Sequence, residues 1–209
     1  MDQKQLQARV ATGLAALALD SAHAEPLTRY LLLLQHWNRS YNLTAVRDPA
    51  AMVDLHLLDS LTLRPYLDGV SRLADLGAGA GLPGIPLAMT CPTLQVWLIE
   101  SNGKKARFLR EAARLFAPNN AHVLQSRIED VVPAPIFDVI TARALATLPQ
   151  IIAMGGHLLG RHGRLLAMKG TLPQADIAAL PPGWQLEATY RLHVPGLNAE
   201  RHLVVVEKA

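Results

Sequence analysis

The ten residues DLGAGAGLPG, from Asp75 to Gly84, close a short apolar run, Arg72–Leu76, and lead into a helical one, Ile85–Met89. Glycines at 77, 79 and 81 let the main chain turn sharply and come close to a ligand, because no Cβ stands in the way. Isolated GxG spacings are common in ordinary turns, so the surroundings carry the weight. Here a strand precedes the loop, a helix follows it, and Glu100 ends the next apolar run, Leu94–Ile99. In open parallel α/β sheets ligands bind outside the carboxyl ends of the strands, and both the loop and Glu100 lie at such an end. A carboxylate there can accept hydrogen bonds from the two ribose hydroxyls of an adenosine cofactor. The alternative for Glu100 is a solvated residue at a strand end.

The spacing GxGxG differs from the dinucleotide fingerprint GxGxxG. Pro83 and Pro86 also remove N–H donors at the start of the following helix, where a pyrophosphate would need them. S-adenosylmethionine has no phosphate and tolerates that loss. A dinucleotide oxidoreductase is therefore the weaker reading.

Further outward the chain divides near Val70. Residues 1–69 read as a helical extension and 70–209 as the α/β unit, the two forming one compact body. Residues 2–19 are rich in helix formers. Residues 27–38 place Leu27, Tyr30, Leu31, Leu34 and Trp37 on one face. Asp48 as N-cap and Pro49 behind it open a third helix, expected to run to about Arg64, with Val53, Leu57, Leu58 and Leu61 inward. After Val70, strands expected at 72–76, 94–99, 122–125, 137–141 and 163–168 alternate with helices at 85–89, 104–116, 148–159 and 173–180. The apolar side of the 104–116 helix is expected to carry Phe108, Leu109, Ala112 and Leu115. Alternation of this kind implies βαβ units and a parallel sheet. Runs 185–193 and 202–207, joined by PGLNAE, read as an antiparallel hairpin at the edge. The predicted fold is a Rossmann-like, mostly parallel seven-stranded sheet with an antiparallel C-terminal hairpin, which resembles the class I S-adenosylmethionine-dependent methyltransferases.

Half of the residues are hydrophobic and 18% are charged, which suits a globular chain and not a disordered one. No apolar run approaches the roughly 18 residues of a membrane span. One cysteine, Cys91, excludes an internal disulfide and a cysteine-cluster metal site, and a reducing cytoplasm is the natural location. No metal, membrane or protein partner is expected. A net charge of +3 says little about nucleic acid. Without a basic tail, any RNA-binding surface has to be assembled in three dimensions.

The loop Ser126–Asp130 follows the third strand of the α/β unit. In this fold class it edges the adenine, and Ile128 can pack on the base. The alternative is a helix start, with Ser126 as N-cap and Glu129 completing a capping box. After the fourth strand the chain reads TARAL, Thr141 to Leu145, in place of the Asn/Asp-Pro-Pro-aromatic motif common in exocyclic-amine methylation. Cys91 falls at the opposite end of the sheet from the glycine loop, so a cysteine nucleophile is not expected. Methyl transfer to a guanine ring nitrogen at position 7 needs no proton removed, so a site without a general base fits it. Arg143 sits where the acceptor enters. It can hold the cofactor carboxylate or grip a phosphate or guanine edge; the alternative is a surface salt bridge, and as a site-edge residue it is expected to contribute little to the core.

WNRSYNLTAVRDP from Trp37, HLLDSL from His56, DLGAGAGLPGIPL from Asp75, GKKARFLR from Gly103, QSRIED from Gln125, ITARALATL from Ile140, MKG at Met168 and ERHLVVV from Glu200 together span almost the whole chain. They resemble the bacterial 16S ribosomal RNA 7-methylguanosine methyltransferase G family, also called glucose-inhibited division protein B. The family's usual Ser-Arg-Ala after the fourth strand stands here as Ala142-Arg143-Ala144. The resemblance implies transfer of one methyl group from S-adenosylmethionine to position 7 of a guanosine in the small ribosomal subunit, on 16S ribosomal RNA or the assembled particle. It carries the family's cofactor positions to Gly77, Leu82, Ile128, Glu129 and Arg143, beside Gly79 and Glu100 from the loop argument. Asn42, Thr44, Arg47 and His56, with Asp59 and Ser60 on the helical face of His56, are candidates for a polar wall over the acceptor. For His56 and Ser60, a hydrogen-bonded helix contact is the competing view. Lys104, Lys105, Arg107, Lys169 and Arg201 are candidates for phosphate contact. The main alternative is a methyltransferase of the same fold acting on a small molecule or a protein.

Overall fold

The computed structural model describes residues 1–132 and 136–209. Helix α1, Gln3–Ala16, starts at Asp2, whose side chain accepts from the Gln5 amide while Gln5 reaches back, a complete capping box. Helix α2, Ala24–Tyr41, buries Leu27, Tyr30, Leu31 and Leu34 and stops at Asn42, which takes a left-handed φ of 50°. Asp48 caps helix α3, Pro49–Met52, as its sequence position implies. The long third helix does not run on regularly. A π-helical turn, Val53–Leu58, separates α3 from α4, Asp59–Leu61. The segment then tightens into a 3₁₀ turn at Arg64–Tyr66, where Pro65 excludes continuation.

The α/β unit runs β1 Arg72–Leu76, α5 Gly84–Thr90, β2 Gln95–Ile99, α6 Gly103–Phe116, β3 Ala121–Leu124, β4 Phe137–Arg143, α7 Leu148–Gly155, β5 Leu159–Lys169, α8 Gln174–Ala178, β6 Trp184–Arg191 and β7 His202–Lys208. The seven strands lie in the order β3-β2-β1-β4-β5-β7-β6. β1 to β5 pair in parallel, while β7 is antiparallel to both β5 and β6. β6 is thus the edge strand of the C-terminal hairpin. Pro83 and Pro86 do not interrupt α5: they fall at its N-cap and first turn, where amides lack helical partners in any case. Helix α7 ends at Gly155 and passes into a 3₁₀ turn, earlier than expected, and β5 begins correspondingly sooner. Among the described residues no helix follows Ser126, whose hydroxyl donates to the Arg127 carbonyl, so the alternative reading of Ser126 as an N-cap finds no support there. In α6 the inward set includes Ala113, whereas Leu115 is 38% exposed and belongs to the outer side.

Period-two alternation sorts the strand residues into two cores. Leu73, Val139, Leu166, Leu203 and Val205 join α1, α2, α5 and α6 on one face, while Ala74, Ile140, Leu165, Val204 and Val206 pack under α7 on the other. The first core is continuous from Leu6, Val10 and Leu14 of α1 through the sheet, so it crosses position 70 without a break. The same alternation turns Asp75, Thr141 and Arg143 toward the helical extension. Among the described residues, no helix is long and apolar enough to cross a membrane.

Candidate functional site

β1 ends directly beneath the glycine loop. Gly77 and Gly79 have φ of 65° and 55°, in the left-handed region that residues with a Cβ avoid. A Cβ on Gly77 would meet Leu145 Cδ1 at 2.8 Å, whereas one on Gly79 finds nothing nearer than the Gly77 carbonyl at 3.6 Å. The Gly79 amide donates to Glu100 Oε2 at 3.0 Å and the Asn102 amide to Oε1 at 2.7 Å. The Glu100 carboxylate thus bridges the loops after β1 and β2. Asp75, buried, accepts from the Gly84 amide at 2.9 Å, and burial pushes its carboxyl up to about 7. From the extension, the buried Tyr30 hydroxyl donates to the Ala80 carbonyl at 2.6 Å. Burial holds that phenol's pKa above its ordinary range.

A cavity of about 360 Å³ opens between these loops, lined by Gly77, Glu100, Lys105, Ile128, Glu129 and Arg143 among others. Leu82 and Gly79 do not line it: Leu82 packs in the first core beside the loop, and Gly79 borders the cavity only through its amide on Glu100. A second cavity, of about 380 Å³, lies between the extension and the ends of β4 and β5, with Val46, His56, Asp59, Met168, Lys169 and Arg201 in its wall. The two cavities share Arg143 and Ala144. A larger cavity of about 490 Å³, between the end of α1, the Arg64–Tyr66 turn and the end of β6, contains none of the loop residues.

Arg143 is held by the helical extension. Nη1 donates to the Leu55 carbonyl at 3.0 Å and to Asp59 Oδ2 at 2.8 Å, and Nη2 to His56 Nδ1 at 3.0 Å. Arg201 Nε donates to the other Asp59 oxygen at 3.2 Å. Asp59 has a side chain only 4% exposed, and burial raises its pKa against the pull of both arginines. The Arg143 guanidinium has no lone pair, so His56 Nδ1 must accept, which leaves the ring proton on Nε2 to meet Thr44 Oγ1 at 2.7 Å. Burial first, and the Arg143 charge second, lower the His56 pKa to about 4, so the ring is neutral. The expected minor role of Arg143 in the fold does not hold, since it ties the end of β4 to the extension.

The other polar candidates of the extension are also engaged. Asn42 Oδ1 accepts from Arg47 Nη2, and Arg47 Nη1 donates to the Asn38 carbonyl. Ser60 does bond to His56, but through the His56 carbonyl at 2.6 Å and not the ring. Lys169 Nζ donates to the Ala146 carbonyl and lies 3.4 Å from Asp176. Lys104 is exposed and far less encumbered, and Lys105 reaches the first cavity. Cys91 caps the far end of α5, its sulfur 3.3 Å from Arg64 Nε. Tyr30 and Asp75 escaped the sequence analysis as site residues. Asp75 carried a signal, an acid next to the end of an apolar strand; Tyr30 carried none, being one more apolar-face residue.

Residues 23–204 match the protein family described as rRNA small subunit methyltransferase G. Ribosomal RNA small subunit methyltransferase G of Xanthomonas oryzae pv. oryzae is 59% identical over 204 residues, covering 98% of this chain and 96% of the relative. The protein of the same name from Xylella fastidiosa is 58% identical over 196 residues, 94% and 92% of the two chains. Among solved structures, TrmN from Thermus thermophilus superposes with a TM-score of 0.55 at 24% identity, over 82% of this chain and 53% of that one. That likeness concerns the fold alone.

Proposed function

Since the chain belongs to the rRNA small subunit methyltransferase G family, we propose that it transfers a methyl group from S-adenosylmethionine to ring nitrogen 7 of one guanosine in 16S ribosomal RNA. The observation that carries this reading is the pair of cavities meeting at Arg143 and Ala144, one beneath the glycine loop and one under the helical extension. Two substrates can approach each other there from opposite sides of one strand end.

The residues of the first cavity suit the cofactor. Each Glu100 oxygen accepts one backbone amide, and the lone pairs that remain would receive ribose hydroxyls. Ile128 would cover the adenine, with Glu129 beside it. Gly77 and Gly79 would admit the ligand close to the main chain, and Leu82 would support the loop from the core. Bound S-adenosylmethionine supplies an electrophilic methyl group on a sulfonium that is already a good leaving group.

Catalysis then rests on alignment and on exclusion of water. Arg143 has five N–H donors; three meet protein acceptors. The other two would hold the acceptor or the cofactor carboxylate, on a guanidinium whose plane is already set. The second cavity offers no free base among the described groups: His56 uses both ring nitrogens, and Asp59 gives an oxygen to each of two arginines. Guanine nitrogen 7 needs no base, because its lone pair is free, whereas an exocyclic amine has to lose a proton. His56 lines this cavity and would shape the acceptor wall, with Thr44 fixing its ring from behind; Asn42 and Arg47, bonded to each other outside the lining, would brace the segment that carries Val46, and the enzyme would work in the cytoplasm.

Undermethylated small subunits, and 16S RNA extracted from them, incubated with the protein and methyl-labelled S-adenosylmethionine should yield labelled 7-methylguanosine at a single site. Label on an exocyclic amine, a ribose hydroxyl, a small molecule or a protein side chain would overturn the substrate assignment.

A further inference from the structure

Helix α6 carries Lys104, Lys105, Arg107, Arg110 and Arg114 against the single acid Glu111, a net +4. The whole chain carries +3, so everything outside α6 sums to −1. The excess positive charge of the protein therefore sits on this one helix.

At 100° per residue, Phe108, Ala112, Leu109, Ala113 and Ala106 occupy one arc, and all are buried. Lys104, Arg107, Arg110, Glu111 and Arg114 occupy the opposite arc. Lys105 falls on the inward side but in the first turn, where it borders the first cavity. The outward cations are not equally neutralised. Arg114 is forked onto Glu111, at 2.9 and 3.0 Å. Arg107 and Arg110 are steadied by neutral groups, the Tyr41 hydroxyl at 3.3 Å and Gln125 Oε1 at 2.9 Å, which orient them, while Glu111 on the same face is committed to Arg114. The helix follows Glu100 and Asn102 directly, so the row begins at the site and descends the flank for about 15 Å.

We infer that the outward face of α6, led by Lys104, Arg107 and Arg110, is a track for the phosphates of the RNA that flanks the acceptor nucleotide. This rests on the proposed methyl transfer to ribosomal RNA. Lys169 and Arg201, committed to Asp176 and Asp59, belong to the pocket wall and not to the track. Arg110, the last residue of GKKARFLR but not one of the phosphate candidates drawn from the sequence, joins it.

The test compares parent, K104Q/R107Q/R110Q and a control, R72Q/R161Q, whose exposed cations belong to β1 and β5 away from α6. Binding to undermethylated small subunits is measured across a salt series, together with S-adenosylmethionine affinity by calorimetry. Each phosphate that the protein no longer neutralises lowers the slope of log affinity against log salt by about 0.7 on single strands, so the triple variant should drop about 2 from the slope. Its subunit affinity should fall in low salt while its cofactor affinity and melting temperature stay at the parent's. The control should keep the parent's slope. An unchanged slope in the triple variant, or a slope lowered equally by the control, overturns the track. Absence of guanosine methylation by the parent would instead overturn the reading of the reaction.

Discussion

Replacing Arg143 by alanine should cost stability as well as activity, and the geometry gives the size of the loss. The substitution removes three hydrogen bonds, from the Leu55 carbonyl, His56 Nδ1 and Asp59 Oδ2. Bonds to charged groups contribute about 1.5–3 kcal/mol each, and breaking a buried ion pair costs about 3–5 kcal/mol. Two facts reduce that figure. The Arg143 side chain is 20% exposed beside open cavities, so water can reach the vacated acceptors. Asp59 also keeps Arg201. A net loss of about 2–4 kcal/mol remains. At about 2–4 °C per kcal/mol for a chain of this length, that corresponds to a Tm lower by about 4–16 °C. Lysine at 143 should recover part of the stability through Asp59 but little activity, because an ammonium cannot reproduce the fork. Differential scanning calorimetry of parent, R143A, D59N and the double variant forms a closed cycle, in which the coupling between 143 and 59 should exceed about 1 kcal/mol. An R143A protein melting within a degree or two of the parent, or additive losses, would refute the tie between β4 and the extension.

Gly79→Val places a β-branched residue at φ 55° with open space around its Cβ; strain of about 1–2 kcal/mol should leave the fold intact, while S-adenosylmethionine affinity falls beyond detection, and unchanged calorimetric affinity in the folded variant would contradict the loop's role. Asp75→Asn tests the carboxyl that burial raises from 3.8 to about 7. The folded chain resists ionising this group more than the unfolded chain does, so the parent loses stability as pH rises from about 4 to 7, by up to about 1.4 kcal/mol per unit. The Tm of the asparagine variant, relative to the parent's, should therefore climb between pH 5 and pH 8, and a flat or falling difference would count against it. Tyr30→Phe leaves the Ala80 carbonyl without its donor; about 1–2 kcal/mol of stability should be lost, and KM for S-adenosylmethionine should rise with kcat nearly unchanged, whereas a fall in kcat alone would argue for a different role.

Much of this architecture was legible because local signals and burial agree. Asp48-Pro49 opens a helix wherever it is placed, and the strand runs around Asp75–Gly84 sit in a sheet buried on both faces, where apolar content alone suffices. What sequence could not supply falls into two kinds. The π turn at Val53–Leu58 interrupts a segment whose apolar periodicity and Asp48 cap promise one regular helix. The network at Arg143 joins residues 84 to 142 positions apart, and no spacing rule encodes such distances. In the stretch GKKARFLREAAR the cations are plain in the sequence, but only the helical phase separates those that face outward from the interleaved apolar residues and from Lys105.

The first hydrophobic core, unbroken from Leu6 to Val205, makes the extension a poor candidate for exchange. Recombination can hand a substrate-binding module from one enzyme to another only where the joint is sparsely packed. Here a cut near residue 70 would strip Leu27, Leu31, Leu57 and Leu61 from the partners that cover them and orphan the carbonyl under Tyr30. New acceptor preferences in this lineage would then have to arise by point changes in the pocket wall, each tolerated by the packing behind it. A laboratory library that shuffles whole N-terminal segments among such chains should return mostly aggregates, whereas one confined to the residues around Val46 and Met168 should return folded proteins.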